Sequence, residues 1–174
     1  MLKLLKKLRL YGSSKRIVFY LINHFLVGTG RWGSSVKRYL MLLIGMKVGK
    51  RTTIVGPIHI FGSVEIGEDC WINRNFTVHG NGHVIIGDQC DIGPEVSFLT
   101  GGHLISETGR RAGKGESYTI QVEKGCWIGS RATLLGNIVV HEYSVVGACA
   151  LVIKNVTQNT LVGGVPAKTI KDLK

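Results

Sequence analysis

No aspartate or glutamate occurs before Glu65, although the chain has 174 residues and eleven acidic side chains. Residues 1–51 carry twelve lysines and arginines: Lys3, Lys6, Lys7, Arg9, Lys15, Arg16, Arg31, Lys37, Arg38, Lys47, Lys50 and Arg51. The remaining 123 residues hold ten basic and eleven acidic residues, so the net charge of +11 belongs to the N-terminal segment. The rest offers no basic face and the basic stretch holds no recognisable binding motif, which argues against a nucleic-acid partner. Long hydrophobic runs are also missing. Ile17 to Val27 and Tyr39 to Met46 are the longest at this end, and both fall short of the roughly 20 residues that span a bilayer. Val27-Gly28-Thr29-Gly30-Arg31-Trp32 reads as a turn rather than a cleavage site, so a secretory signal is not expected. The four cysteines form no CxxC and no Cys/His cluster with zinc spacing, which leaves no metal expectation from them.

What the chain has in quantity is a six-residue period. Aliphatic-glycine pairs recur at Val48-Gly49, Ile66-Gly67, Ile86-Gly87, Ile92-Gly93, Ile128-Gly129 and Val146-Gly147. Filling in the sixes gives Val48, Ile54, Ile60, Ile66, Ile72 and Val78, then Ile86, Ile92 and Phe98. The series resumes at Val122, Ile128, Leu134, Val140, Val146 and Val152. Neither the helical period of about 3.6 nor strand alternation of 2 sustains this spacing. A sustained hexad repeat marks a parallel β-helix, an all-β solenoid whose coils stack as strands do.

Two residues before these positions stand Cys70, Phe76, Cys90, Val96, Cys126, Ala132, Ile138, Ser144 and Ala150, and Val156 follows six residues on. Mostly small or apolar, they fit a second inward-facing position. Three cysteines share this slot, and equivalent slots favour buried free thiols over paired disulfides, as in a reducing compartment. The glycines after the aliphatic residues suit corners of unusual backbone dihedrals. Between Val78 and Ile86 the step is eight, placing a small turn at Gly80-Asn81-Gly82-His83. Between Phe98 and Val122 it is 24, four whole hexads, so a polar loop at about 100–119 leaves and rejoins the solenoid in register. The expected organisation is a basic N-terminal segment over 1–47 and a solenoid over 48–174. The N-terminal segment reads as two amphipathic helices. They could bind an anionic membrane surface, each Lys or Arg contributing about 1 kcal/mol, or cap the open end of the solenoid with solvated lysines outside.

The stretch from Asn73 to Lys171 resembles the hexapeptide-repeat acetyltransferases, particularly the galactoside and maltose acetyltransferase branch. The resemblance rests on Asn73-Arg74-Asn75-Phe76-Thr77, Ile86-Gly87-Asp88, Thr100-Gly101-Gly102-His103, Cys126-Trp127-Ile128-Gly129-Ser130 and Val162-Gly163-Gly164-Val165-Pro166-Ala167-Lys168. The segment ending Leu43-Ile44-Gly45-Met46-Lys47-Val48-Gly49-Lys50 resembles the O-acetyltransferases of capsule, O-antigen and exopolysaccharide clusters. The likeness implies a left-handed coil, a homotrimer and acetyl-CoA as donor. Topology alone would favour right-handed crossovers.

The resemblance implies a catalytic role for His103. Thioesters are already activated, so transfer to a hydroxyl mainly requires a base within hydrogen-bond reach, and imidazole suits that task near neutral pH. Flanking Gly101 and Gly102 would admit a substrate closely. A solvated loop histidine is the plain alternative. Asn73 stands where the repeat would have glycine; the likeness makes it an acceptor-site amide, whereas alone it reads as a left-handed corner residue. Trp127 should point outward, as sugar- or pantetheine-stacking surface or as trimer-interface packing, and Trp71 shares its register. Ser130, Ala148, Ile153 and Lys154 match residues lining a coenzyme A channel, with Ile153 where many relatives have threonine. Lys168 and Lys171 match positions that are often arginine and face nucleotide phosphates, or they are solvated surface lysines. Asn81 replaces an aspartate used by sugar-specific relatives, which puts a galactoside- or maltose-type acceptor in doubt. His79 and His83 lack the spacing of a histidine metal site, and no metal is expected. The expected activity is acetyl transfer from acetyl-CoA to a sugar hydroxyl in surface-polysaccharide assembly, in the cytoplasm, on a sugar or glycan acceptor for which a lipid-linked form at the inner face of the membrane is one option. Acetylation of a small free acceptor and a structural solenoid are the alternatives.

Overall fold

The hexads become the faces of a three-sided prism. A computed structural model describes the backbone of residues 2–174 and the side chains of 14–30 and 32–174. The side chains of Lys3, Lys6, Lys7, Arg9 and Arg31 thus lie outside the described residues. Helices α1 (Leu2–Phe25) and α2 (Arg31–Leu43) come first. Short strands then wind as a left-handed parallel β-helix. The first face stacks Lys47–Val48, Ser63–Ile66, His83–Ile86, Thr119–Val122 and Ile138–Val140. The second runs from Thr53–Ile54 through Trp71–Ile72, Asp91–Ile92, Trp127–Ile128 and Val145–Val146 to Thr160–Gly163, which Lys168–Asp172 joins antiparallel. The third stacks Ile58–Ile60, Phe76–His79, Ser97–Leu99, Thr133–Leu135 and Leu151–Val152. Registers such as Val48↔Ile66 and Val122↔Val140 show one coil as three hexads.

Every aliphatic hexad position is buried, from Val48 to Val152, and so is the whole second set from Cys70 to Val156. Burying each valine, isoleucine or leucine contributes about 1.5–3 kcal/mol, so the repeat is its own core. Cys70, Cys90 and Cys126 are buried free thiols stacked in one slot, whereas Cys149 is exposed. Their sulfurs donate to backbone carbonyls, Cys90 Sγ to Glu123 O at 3.0 Å and Cys126 Sγ to His141 O at 3.1 Å. Burial pushes the Cys126 thiol up, which keeps it inert.

The corners differ from expectation. The glycines after the aliphatic positions do not adopt positive φ; residues three after those positions do, among them Arg51, Asp69, Asn75, Gln89, Arg131 and Tyr143. The glycines answer a different need, close approach between coils. A Cβ at Gly129 would lie 2.6 Å from Ala148 N, and one at Gly93 would lie 2.7 Å from Ser130 N. Backbone of the next coil occupies the space a side chain would need. The left-handed residue recurring at the corners also bears on the hand of the coil. The right-handed rule arises from twisted strands feeding packed helices, and here strands of only a few residues meet at such corners.

The two helices close the N-terminal end of the prism and share its core through Val18, Ile22 and Met41, joined by Ile44 and Met46 of the segment after α2. An open solenoid end presents unpaired strand carbonyls, a template for aggregation. Here each edge strand receives a donor. Arg38 Nε donates to Val48 O at 2.9 Å on the first face. Lys37 Nζ donates to Ile54 O on the second and to Gly28 O at 2.7 Å. On the third, Asn23 mimics a strand partner: its Nδ2 donates to Ile58 O at 2.8 Å, and its Oδ1 accepts from Ile58 N–H at 2.8 Å. Lys15 Nζ reaches Phe61 O at 2.9 Å and Gly62 O at 2.6 Å. The expectation of a cap with solvated lysines therefore needs correction at Lys37, which is fully buried. Among the described residues no helix is long and apolar enough to cross a membrane.

Candidate active site

The interruption of the repeat is an ordered hairpin rather than an irregular loop. Gly101–Ile105 pairs antiparallel with Ala112–Ser117, Gly102 opposite Glu116 and His103 opposite Gly115. Thr100 anchors its base: it is fully buried, and its N–H and Oγ1 both donate to His79 O, at 2.7 and 2.9 Å. Gly101 and Gly102 line the groove beside His103 and also serve internal packing. A Cβ at Gly101 would lie 3.2 Å from Gly80 Cα, and one at Gly102 would lie 2.5 Å from the Tyr118 hydroxyl. Tyr118 in turn donates from its hydroxyl to Glu116 Oε2 at 3.2 Å.

This base positions His103 over a groove of about 530 Å³, lined also by His79, Asn81, Leu99 and Glu116. His103 is exposed, and its Nδ1 lies 2.8 Å from Gly113 O. A carbonyl can only accept, so in the neutral ring the proton sits on Nδ1 and Nε2 keeps its lone pair. Backbone across the hairpin thus sets the tautomer that a base requires. Sequence reasoning missed Gly113 and Glu116; the signal available was the Thr108-Gly109 turn, which folds the second strand back against Gly101-Gly102-His103.

Two further clusters lie elsewhere on the prism. A groove of about 390 Å³ collects Trp71, Asn73, Asp91, Pro94, Trp127 and Ser130. Trp71, Asp91 and Trp127 are in register on consecutive strands, and Trp127 is exposed as its position in the hexad required. Asn73 keeps negative φ, against the expectation of a left-handed corner; that geometry belongs to Asn75, at φ 57. Its Oδ1 accepts from Arg74 N–H at 2.9 Å. Ala148 is exposed one coil beyond Ser130, and its N–H packs against Gly129. The third cluster is a groove of about 350 Å³ lined by Ile153, Lys154, Ala167 and Lys168. Lys171 is exposed on the same strand as Lys168 but does not line that groove. Among the described residues the groove of His103 shares no lining residue with that of Asn73, Trp127 and Ser130. His83 Nδ1 is 2.6 Å from Ser63 Oγ, and among the described residues no group of three His, Cys, Asp or Glu could hold a metal ion.

Known proteins share this architecture. No protein-family model matches the chain. The galactoside O-acetyltransferase of Escherichia coli K12 is 30% identical over 128 residues, covering 72% of this chain and 63% of that protein. The chain spans between 54% and 63% of the length of that enzyme and three further acetyltransferase relatives. A hexapeptide-repeat acetyltransferase of Vibrio cholerae O1 biovar eltor, solved with acetyl-CoA, superposes with a TM-score of 0.82. It is 28% identical, and the match covers 97% of this chain and 90% of that one. A galactoside acetyltransferase solved with coenzyme A gives a TM-score of 0.79 at 25% identity, covering 91% and 78%. Hexad core, hairpin histidine and these likenesses agree: the chain belongs to the hexapeptide-repeat acetyltransferases, in the galactoside and maltose acetyltransferase-like branch.

Proposed function

We propose that the protein transfers an acetyl group from acetyl-CoA to a sugar hydroxyl, with His103 as general base. The observation that carries this reading is the His103–Gly113 hydrogen bond, which leaves Nε2 as the acceptor in a groove large enough for a sugar. In the reaction Nε2 takes the hydroxyl proton as the oxygen bonds to the thioester carbonyl carbon. The C–S bond then breaks, and the imidazolium returns its proton to the departing thiolate. Asn81 and Glu116 line the same groove and offer the acceptor an amide and a carboxylate. Ser130, Ala148, Ile153, Lys154, Lys168 and Lys171 are proposed for coenzyme A, the lysines acting as point charges for its phosphates. The acceptor is proposed to be a surface-polysaccharide precursor, met on the cytoplasmic side where acetyl-CoA is available.

The separation of the two grooves supports a shared site. His103 and Asn73 line different surfaces of one chain, so a homotrimer that sets the hairpin of one protomer against the Asn73–Trp127 surface of the next would complete the site. Mixing tests this. His103→Ala and Asn73→Ala subunits are each expected to be impaired. In randomly mixed trimers about a quarter of the sites would join an intact His103 to an intact Asn73. Activity should recover toward that fraction. A mixture no better than its components, or an active monomer in sedimentation, contradicts the shared site.

A further inference from the structure

His79 is one wall of the groove beside His103. His79 also lines a second cavity of about 550 Å³ between α1 and the edge strand Ile58–Ile60, to which Lys15, Arg16, Tyr20, His59 and Phe61 contribute. Among the described residues no aspartate or glutamate lines this cavity. Lys15 is half-buried, and among the described residues its ammonium donates only to the carbonyls of Phe61 and Gly62. Among the described residues neither Lys15 nor Arg16 joins an ion pair. Burial holds the Lys15 ammonium below its usual range. A positive charge held partly out of water without a counter-charge is unfavourable until an anion arrives. Tyr20 and Phe61 add aromatic surface, 56% and 72% exposed, suited to an apolar or planar group.

We propose that this cavity extends the acceptor site and receives a phosphate or diphosphate attached to the acceptor sugar. Lys15 and Arg16 hold the phosphate, and Tyr20 and Phe61 contact the group beyond it. The proposal rests on the His103 groove being the acceptor site. A nucleotide-linked and a lipid-linked sugar share the required chemistry. Arg16 is the residue to test, since it is exposed and holds no edge carbonyl. Guanidinium–phosphate contacts are among the strongest charge-assisted hydrogen bonds.

Thiol release should be measured for common hexoses and hexosamines, each presented free, as the 1-phosphate, as the nucleoside diphosphate and as the polyprenyl diphosphate in detergent. Phosphate-bearing forms should show kcat/KM at least about tenfold above the free sugar. Arg16→Ala should raise their KM about tenfold and leave kcat and the free-sugar KM unchanged, with Arg16→Lys restoring most of the loss. Preference for the nucleotide or the prenyl form then separates the two sources. Pyrophosphate titrated into the intact protein at saturating coenzyme A gives a readout independent of sugar identity, and Arg16→Ala should weaken it by the same factor. Equal use of free and phosphorylated sugars, or pyrophosphate binding indifferent to Arg16→Ala, overturns this site while acetyl transfer stands. Pyrophosphate binding that depends on Arg16, with no thiol release from any acceptor, overturns acetyl transfer instead.

Discussion

Replacing His103 by alanine is expected to lower turnover by about 10²–10⁴ while leaving coenzyme A affinity nearly unchanged. The magnitude follows from what the side chain supplies, a proton acceptor matched to the working pH and held by its Nδ1–H on Gly113 O. Because His103 is exposed on a hairpin outside the buried core, the substitution should not perturb folding. Thermal unfolding of the variant should therefore match the intact protein. Steady-state kinetics with any productive acceptor, together with coenzyme A titration, decides the matter. Turnover within a few-fold of the intact protein would remove His103 from the chemistry.

Lys37→Ala is the second large effect, and it falls on stability. Lys37 is 0% exposed and donates to Ile54 O and Gly28 O. Alanine leaves these carbonyls without their donor and opens a void where the side-chain methylenes were. An unsatisfied buried polar group costs about 1–3 kcal/mol, and the void adds to this. The expected loss is about 2–4 kcal/mol, read from the shift in urea midpoint at constant slope. A loss under about 0.5 kcal/mol, the range of an ordinary surface substitution, would contradict the account of the capped edge. The same edge accounts for part of the basic N-terminal composition: Lys15, Lys37 and Arg38 all donate to carbonyls of the first coil.

The hexad positions from Val48 to Val152 were legible because each follows from a local spacing, and burial obeys it throughout. The inward slot of Cys70, Cys90 and Cys126 was legible for the same reason. The role of the glycines was not. Gly129 is dictated by Ala148 N of the following coil, a contact between chain segments that no local pattern displays. The left-handed corners were hidden too, since Arg51, Gln89 and Tyr143 are not residue types that announce positive φ. Lys37 reads as one more solvated cation until α2 is laid on the solenoid end. At the candidate site, the Thr100-Gly101-Gly102-His103 motif marked the place. The carbonyl that sets the imidazole tautomer comes from Gly113, ten residues on, and depends on hairpin pairing that the sequence only hinted at.

The central claim is direct acetyl transfer to a sugar hydroxyl, and one measurement addresses it most closely. The intact protein is incubated with acetyl-CoA and a panel of free, nucleotide-linked and lipid-linked sugars, and thiol release is followed alongside the mass of the sugar product. The account predicts release only when an acceptor is present, matched one for one by a sugar carrying an acetyl ester. No release with any acceptor, or release with no acetylated sugar formed, would contradict it.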